Sequence, residues 1–432
     1  MSELKNISAA LKEKLQAAGI TKYSLTLSEG EKQELNTEHN KFSLFRTIFS
    51  HGATITAYLD SRKGSASGND LSDAGLQKLV EDAKAGAESS MPDDANDIAE
   101  QQAPEVFRTG CYEADMARFY DRLQEVLDTV RQDFPKIMLM QIIGSHDKSH
   151  SLLVNSNSTE FEWFDGSYSV SLEFAGNDGE KTTGLGYGGV TMHDLAQPIL
   201  SHGSLRKQLE DTEKSLNTVS IGDKFEGTVI FTPDALGYFT YMLVSNFMDA
   251  GVIIEGTSQW LDKVGQQVAS EKFTLRLQAQ DDRLVVSSPF TGDGFRAENV
   301  TLIEKGVLNC HLLNLYAAKK TGRPVVKNSG SGYVMEPGDL PVADMIKGVK
   351  RGLIVGGFSG GQPGANGEFS GVAKNSFYVE NGVIRGAVME TMINGNLQDV
   401  FTKVTAVSKE LVSDGNMAFP YLAVEGITIS GN

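Results

Sequence analysis

Four short runs in this 432-residue chain bring together residue types capable of chemistry. His146-Asp-Lys-Ser-His150 has the spacing by which two imidazoles on one helix face bind a zinc ion, with aspartate where the general base would stand. Its flanks, Met140–Gly144 and Ser151–Val154, alternate and turn like a hairpin, so an exposed turn is favoured over a metal site. Gly357-Phe-Ser-Gly-Gly361 spells the nucleophile elbow G-x-S-x-G after a strand-like Leu353–Val355. The elbow must lead into a helix, whereas Gln362-Pro-Gly-Ala-Asn-Gly367 starts one poorly, and no histidine lies beyond His311 to complete a Ser…Asp…His order. A serine hydrolase at Ser359 is therefore the weakest reading, and a glycine-rich loop the better one.

Gly184-Leu-Gly-Tyr-Gly-Gly189 fits G-x-G-x-x-G as a string, but neither a buried strand before it nor a helix directly after it is expected, so it reads as a flexible loop. Cys310-His311 pairs a thiol with a base, yet neighbours on a strand point to opposite faces. Burial of a small thiol is expected there instead. No Walker A sequence occurs. The chain shows no self-sufficient active site.

The element of most interest is Thr232–Met248. Thr232 is placed to N-cap a helix, Pro233 suits its first turn and Asp234 its positive dipole end. Leu236, Phe239, Leu243 and Phe247 recur at helical spacing; Tyr238, Thr240, Tyr241, Ser245 and Asn246 fall opposite. This helix carries no histidine, glutamate or cysteine.

Around it, periodicity predicts helices over 3–18, 72–87, 113–134 and roughly 195–216, and strands over 23–28, 41–49, 51–59, 137–143, 151–155, 159–163 and 167–174. From residue 223 strands dominate: 225–231, 273–279, 283–287, 300–304, 353–355, 376–380, 383–388 and 421–429, with short helices at 313–319 and 342–350. Glu304-Lys-Gly306 and Glu380-Asn-Gly382 read as hairpin turns. The acidic, small-residue stretch 88–105 reads as a linker or mobile loop. An α+β fold follows, with an N-terminal α/β domain (1–218) and a strand-rich C-terminal domain (219–432) on a curved, barrel-like or sandwich sheet.

A net charge of −17 disfavours a duplex-DNA binder. The nearest basic cluster, Lys319, Lys320 and Arg323, reads as a solvated helix end. Two cysteines are too few for a disulfide framework or an all-cysteine zinc site. Nothing approaches a membrane span, and the amphipathic N-terminus lacks a signal core, so a cytoplasmic address is expected.

An ordered set of blocks in the second half resembles the TldD/PmbA (TldE) metallopeptidase family. It comprises Gly256-Thr-Ser258, Ser288-Pro-Phe290, Asp293-Gly294, Leu302–Gly306, Glu336-Pro-Gly338, Met345–Gly352, Gly356–Gln362, Gly367-Glu-Phe-Ser370, Val379–Gly382 and Asn394–Leu397. Residues 52–84 and Asn155-Ser-Asn-Ser158 resemble its N-terminal blocks. The resemblance implies work in pairs: a TldD-type subunit carries H-E-x-x-x-H on a helix plus a distant cysteine as zinc ligands, a PmbA-type subunit lacks them, and together they process peptides and unfolded chains. In this chain the corresponding helix reads LGYFTYMLVSN, and Ser408–Asn432 has no cysteine.

The implied role is thus a non-catalytic PmbA/TldE-like subunit, with no catalytic or metal residue of its own and with zinc on a TldD-type partner. The alternative is a self-associating peptide-binding protein without an enzymatic partner; separately, a homodimer is among the partner expectations for the chain when alone. Peptide contacts are expected at Gly356, Gly357, Ser359, Gly360, Gly361 and Gln362, and at Tyr238 and Tyr241 of the helix. The family's older label as a DNA gyrase modulator gains no support from the charge.

Overall fold

The computed structural model describes residues 3–285 and 287–431. Two sheets organise the α+β chain. The first holds β1 (Lys22–Glu38), β2 (Lys41–Leu59), β3 (Arg62–Gly68), β4 (Glu105–Gly110), β5 (Ile137–Asn155), β6 (Glu160–Gly176) and β7 (Gly186–Met192), in the order β3-β2-β1-β5-β6-β4, with β7 also on β6. Helices α1 (Glu3–Ala17), α2 (Asp73–Ser89), α3 (Met116–Asp133) and α4 (Leu205–Lys214) accompany it. Leu4, Leu11 and Leu15 of α1 and Leu76, Leu79 and Val80 of α2 pack on Leu25, Leu27, Ile55 and Leu152 of the strands; α3 covers the sheet farther along with Phe119, Leu123 and Val130.

The main departure from expectation is strand length. The runs expected at 41–49 and 51–59 form one strand, as do 137–143 with 151–155 and 159–163 with 167–174. Polar and glycine residues between apolar runs look like turns in sequence, but a ladder can carry them through, partnered on both sides in β5 and β6 and by β1 alone at the β2 junction near Ser50. His146–His150 is therefore mid-strand, paired with Gln33–Glu29 of β1 and Tyr168–Phe164 of β6. The glycines at 186–189 likewise lie in β7 rather than in a loop. The helix expected over 195–216 shrinks to α4, preceded by a single 3₁₀ turn at Ile199–Ser201.

The stretch 88–105 has no helix or strand from Ser90 to Pro104, as a connector would, but it is anchored along its length. Ala95, Ile98 and Ala99 are buried, and the carboxylates tie the two halves of the chain together. Asp93 accepts from the Tyr316 hydroxyl (2.9 Å) and Lys320 (2.7 Å), and Asp97 binds Lys22 (2.5 Å) and Lys319. These hydrogen bonds, with Lys320 first, hold the Asp93 carboxyl down at about 2. The basic cluster is accordingly a docking surface for this acidic strap, with Arg323 on Asp262, rather than a free helix end.

The second sheet has thirteen strands: β8 (Phe225–Phe231), β9 (Leu275–Leu277), β10 (Val300–Glu304), β11 (Val307–Leu308), β12 (Tyr333–Met335), β13 (Arg351–Val355), β14 (Gly357–Gly360), β15 (Glu368–Lys374), β16 (Ser376–Glu380), β17 (Val383–Val388), β18 (Met392–Asn396), β19 (Val404–Ser413) and β20 (Met417–Ser430). Its path runs β11-β10-β9-β12-β20-β8-β13-β16-β17, and β20 also carries β19 and a branch through β18 and β15 to β14. Among the described residues β13 and β14, consecutive in sequence, do not pair, so the curved sheet is sandwich-like rather than a closed barrel. Both expected hairpins form, with Lys305–Gly306 and Asn381–Gly382 at positive φ. Of the strand expected at 283–287, no part forms among the described residues, and Val286 lies outside them.

Helix α5 (Pro233–Phe247) lies in the fold of this sheet, and α6 (Ala250–Ile254), α7 (Leu315–Thr321), α8 (Val342–Lys347) and α9 (Leu397–Thr402) are short. Leu236, Phe239, Met242, Leu243 and Phe247 of α5 are fully buried against Phe231, Phe369, Phe419 and Leu422. At Gly237 a β-carbon would come within 2.6 Å of the Met417 sulfur, so glycine permits the close approach to β20.

Candidate functional site

The start of α5 is built as its sequence predicts. Thr232 Oγ1 accepts the Ala235 N–H at 3.4 Å and Pro233 occupies the first turn. Residues 356–364 then follow α5 from one end to the other. The Thr232 N–H donates to Val355 O (3.0 Å) and its hydroxyl to Gly356 O (3.4 Å). Phe358 packs against Tyr238 (ring centroids 5.7 Å) and Phe239 (5.2 Å), and Asn246 Nδ2 donates to Gly364 O at 3.3 Å. The helix and the glycine-rich run expected to share a site are thus neighbours.

Two features differ from expectation. Gly357–Gly360 is not a loop but strand β14, paired antiparallel with β15 from Gly357↔Lys374 to Gly360↔Gly371. Ser359 is exposed on that strand opposite Val372, and no helix follows it, so the nucleophile-elbow geometry is absent. Thr240, expected on the polar face, is buried; the exposed stripe is Asp234, Tyr241 and the partly exposed Tyr238, Ser245 and Asn246. Tyr241 is 60% exposed. Phe358 was missed as a site residue, although an aromatic inside a glycine run is itself a packing signal.

The remaining candidates are occupied elsewhere. Residues four apart on a strand share a face but stand ~13 Å apart along it, too far for two imidazoles to close on one ion as on a helix. His146 Nε2 lies 2.8 Å from Cys111 O, and His150 sits between Glu29 (2.8 Å) and Glu162 (2.9 Å), stacked on Phe164. His311 Nε2 is 2.9 Å from Trp260 O, and burial pushes its pKa down. Burial also pushes the Cys310 thiol up to about 11, the reverse of what a thiolate nucleophile needs. Among the described residues no three histidine, cysteine, aspartate or glutamate side chains converge to hold a metal ion, and no helix is long and apolar enough to cross a membrane.

A helix-bearing curved sheet, tied to an α/β unit by an acidic strap, makes this an α+β protein of two sheets, and comparison with known proteins supplies the family. Residues 225–431 match the PmbA/TldA metallopeptidase C-terminal domain and residues 23–87 match PmbA/TldA metallopeptidase domain 1, together more than half of the chain. The chain belongs to the PmbA/TldD/TldE metallopeptidase family.

A Metalloprotease PmbA homolog of Haemophilus influenzae is 26% identical over 400 residues, spanning 88% of this chain and 85% of that protein. Solved structures share the fold. TldE of Thermococcus kodakarensis superposes with a TM-score of 0.84 at 21% identity, covering 98% of this chain and all of that one. A Bacteroides thetaiotaomicron protein described provisionally as a modulator of DNA gyrase superposes with 0.87 at 21% identity, with both chains covered in full.

Proposed function

We propose that this chain is the PmbA/TldE-type, non-catalytic subunit of a heteromeric zinc peptidase that processes peptides and unfolded polypeptides, with zinc on a TldD-type partner. The carrying observation is α5. It is capped and buried in the strand-rich half, yet from Leu236 to Asn246 it offers no imidazole, carboxylate or thiolate to a metal. The near end-to-end likeness to a PmbA homolog supports the reading. We place the division between the two domains near 218/219, where Thr218 already bridges to Ala387 of β17.

Peptide is taken up along β14 and the exposed stripe of α5, at Gly356, Gly357, Ser359, Gly360, Gly361 and Gln362 with Tyr238 and Tyr241. β14 has β15 as its sole partner among the described residues, which leaves an edge whose N–H and C=O groups can pair with an extended chain. The exposed Tyr241 ring and the Tyr238–Phe358 pair supply apolar surface beside it. Co-expression with a TldD-type subunit, followed by intact-complex mass measurement, zinc analysis and peptidase assay, tests the assignment. Expected are a stable complex with zinc on the partner and hydrolysis that requires both chains. Stoichiometric zinc or proteolysis by the purified chain alone overturns it.

A further inference from the structure

The helix-covered face of the first sheet holds a cavity of about 510 Å³ at the start of α1, far in sequence from the site on α5. Beneath it lies a grid of six side chains on three strands. Glu29 of β1 stands between His51 of β2 and His150 of β5, and Glu31, two residues on, stands between Phe49 and Lys148. Paired residues and alternate residues share a face, so all six point the same way. Glu3, Leu4 and Ile7 of α1 also line the cavity, as does Tyr112. β3 reaches β2 only from Ala53 onward. Phe49–His51 therefore belongs to the stretch 42–52 whose outer edge is unpaired among the described residues, and Phe49 is 74% exposed.

Glu29 is fixed before any ligand arrives. Its Oε1 lies 2.8 Å from Nδ1 of His150, which is 3% exposed, stacks on Phe164 and meets Glu162 through Nε2 at 2.9 Å. Glu162 is held in turn by Lys5 of α1 at 2.8 Å. Glu31 accepts a hydrogen bond from Gln33 at 2.6 Å. Lys148 supplies the positive charge: its ammonium stands 4.5 Å over the Tyr112 ring and 3.0 Å from Glu113. The lining carboxylates of Glu3, Glu29 and Glu31 thus face one ammonium, which an outer carboxylate already balances. The cavity offers a negative field with a single positive point, and carboxylates already held in place lose little freedom on binding.

We propose that this cavity binds a peptide of dipeptide size with a free amino terminus and a basic side chain. The α-ammonium sits between Glu29 and Glu31, the terminal carboxylate meets Lys148, and the basic side chain turns to Glu3. Spacing selects this class. Glu29 and Lys148 are diagonal neighbours across β1 and β5, ~7–8 Å apart. Two extended residues span ~7 Å, whereas the charged ends of a single amino acid are too close together to reach both. A linear polyamine would set an ammonium against Lys148. A metal ion lacks ligands, since no three histidine, cysteine, aspartate or glutamate side chains converge among the described residues. Phe49, beside Glu31, offers a ring face to the bound ammonium. The volume falls within the ~300–1,000 Å³ usual for small-ligand sites. The site does not depend on the zinc-peptidase reading.

Titration calorimetry of the full chain with lysyl-alanine tests this, and one peptide should bind per chain. Acetylating its amino terminus or amidating its carboxylate should each weaken binding by about 10-fold or more, as loss of a hydrogen bond to a charged group does. Alanyl-alanine and spermidine should both bind more weakly than lysyl-alanine. Glu31→Gln and Lys148→Met should each cost a similar factor, which places the peptide on the grid rather than at β14. No binding at millimolar peptide overturns the proposal. So does equal affinity for the capped peptides, binding of spermidine as tight as that of lysyl-alanine, or affinity that both substitutions leave intact. The capped peptides need no variant, so they decide the matter even if a substitution unfolds the chain.

Discussion

Helix α5 and strand β5 hold between them what a zinc site needs, but in separate places. β5 has two histidines four residues apart, one flanked by carboxylates; α5 has the helical repeat that could aim such residues at one point and none of the residues. On β5 the repeat of two puts both imidazoles on the side covered by α3 and α1, where they bind neighbouring groups: His150 joins Glu29 to Glu162, which Lys5 of α1 also reaches at 2.8 Å. Imidazoles in the wrong repeat become structural, and the right repeat without imidazoles becomes scaffold. Residue type and backbone period must coincide before a spacing is a site.

Four measurements would break or sharpen that contrast. The largest effect is expected in α5 if it is scaffold. Phe239→Ala removes a fully buried ring that touches Phe231, Phe358 and Phe369, and should cost ~3–5 kcal/mol in the unfolding of the strand-rich half. A much smaller loss would mean the helix is not a core element.

Next comes β5. His150→Ala should cost ~1–3 kcal/mol, because Glu162 is left buried with fewer partners. Burial works to raise the Glu162 pKa, but hydrogen bonds from Lys5 and His150 outweigh it and hold it below the usual value. A carboxylate whose folded pKa is depressed contributes stability that is present above its unfolded pKa of ~4.3 and is lost as pH falls through the folded value. Acid denaturation should therefore be shallower for Glu162→Gln than for the native chain; equal slopes would remove the network from the account.

The third effect is chemical. With its pKa near 11, Cys310 should stay unreactive to a thiol reagent at pH values where a free thiol reacts, and Cys111 should account for any native-state labelling. Mass spectrometry of the labelled peptides reads this directly, and fast Cys310 labelling would revive it as a nucleophile.

The smallest change in stability belongs to the exposed stripe. Tyr241→Ala and Ser359→Asp should shift stability by less than ~0.5 kcal/mol, as surface substitutions do, while weakening peptide capture by the assembled complex. Unchanged capture would move the peptide elsewhere.

Much of the helical part was legible in sequence. α1, α2, α3 and α5 lie within a few residues of their periodic patterns, and three of them start on a side-chain cap: Ser72 for α2, Asp115 for α3 and Thr232 for α5. The long strands were not legible, since Gly144 and Gly166 read as breaks until neighbours on both sides supply the ladder, and Ser50 until β1 does. The anchoring of the acidic stretch 88–105 was hidden for a related reason: its partners, Lys319 and Lys320, lie more than two hundred residues away in sequence.

By itself the sequence determined that α5 is a helix with a buried aromatic face and no metal ligands, that the two short hairpins turn where they do, and that the ordered blocks are those of one family. These are local properties, set by caps, turn residues and residue type. Tertiary structure alone decided that His146 and His150 sit mid-strand, that Gly357–Gly360 is an edge strand running beside α5, and that β2 is left open at residues 42–52. Each depends on which strand lies alongside which, and hydrogen-bond partners distant in sequence leave no periodic trace in the chain.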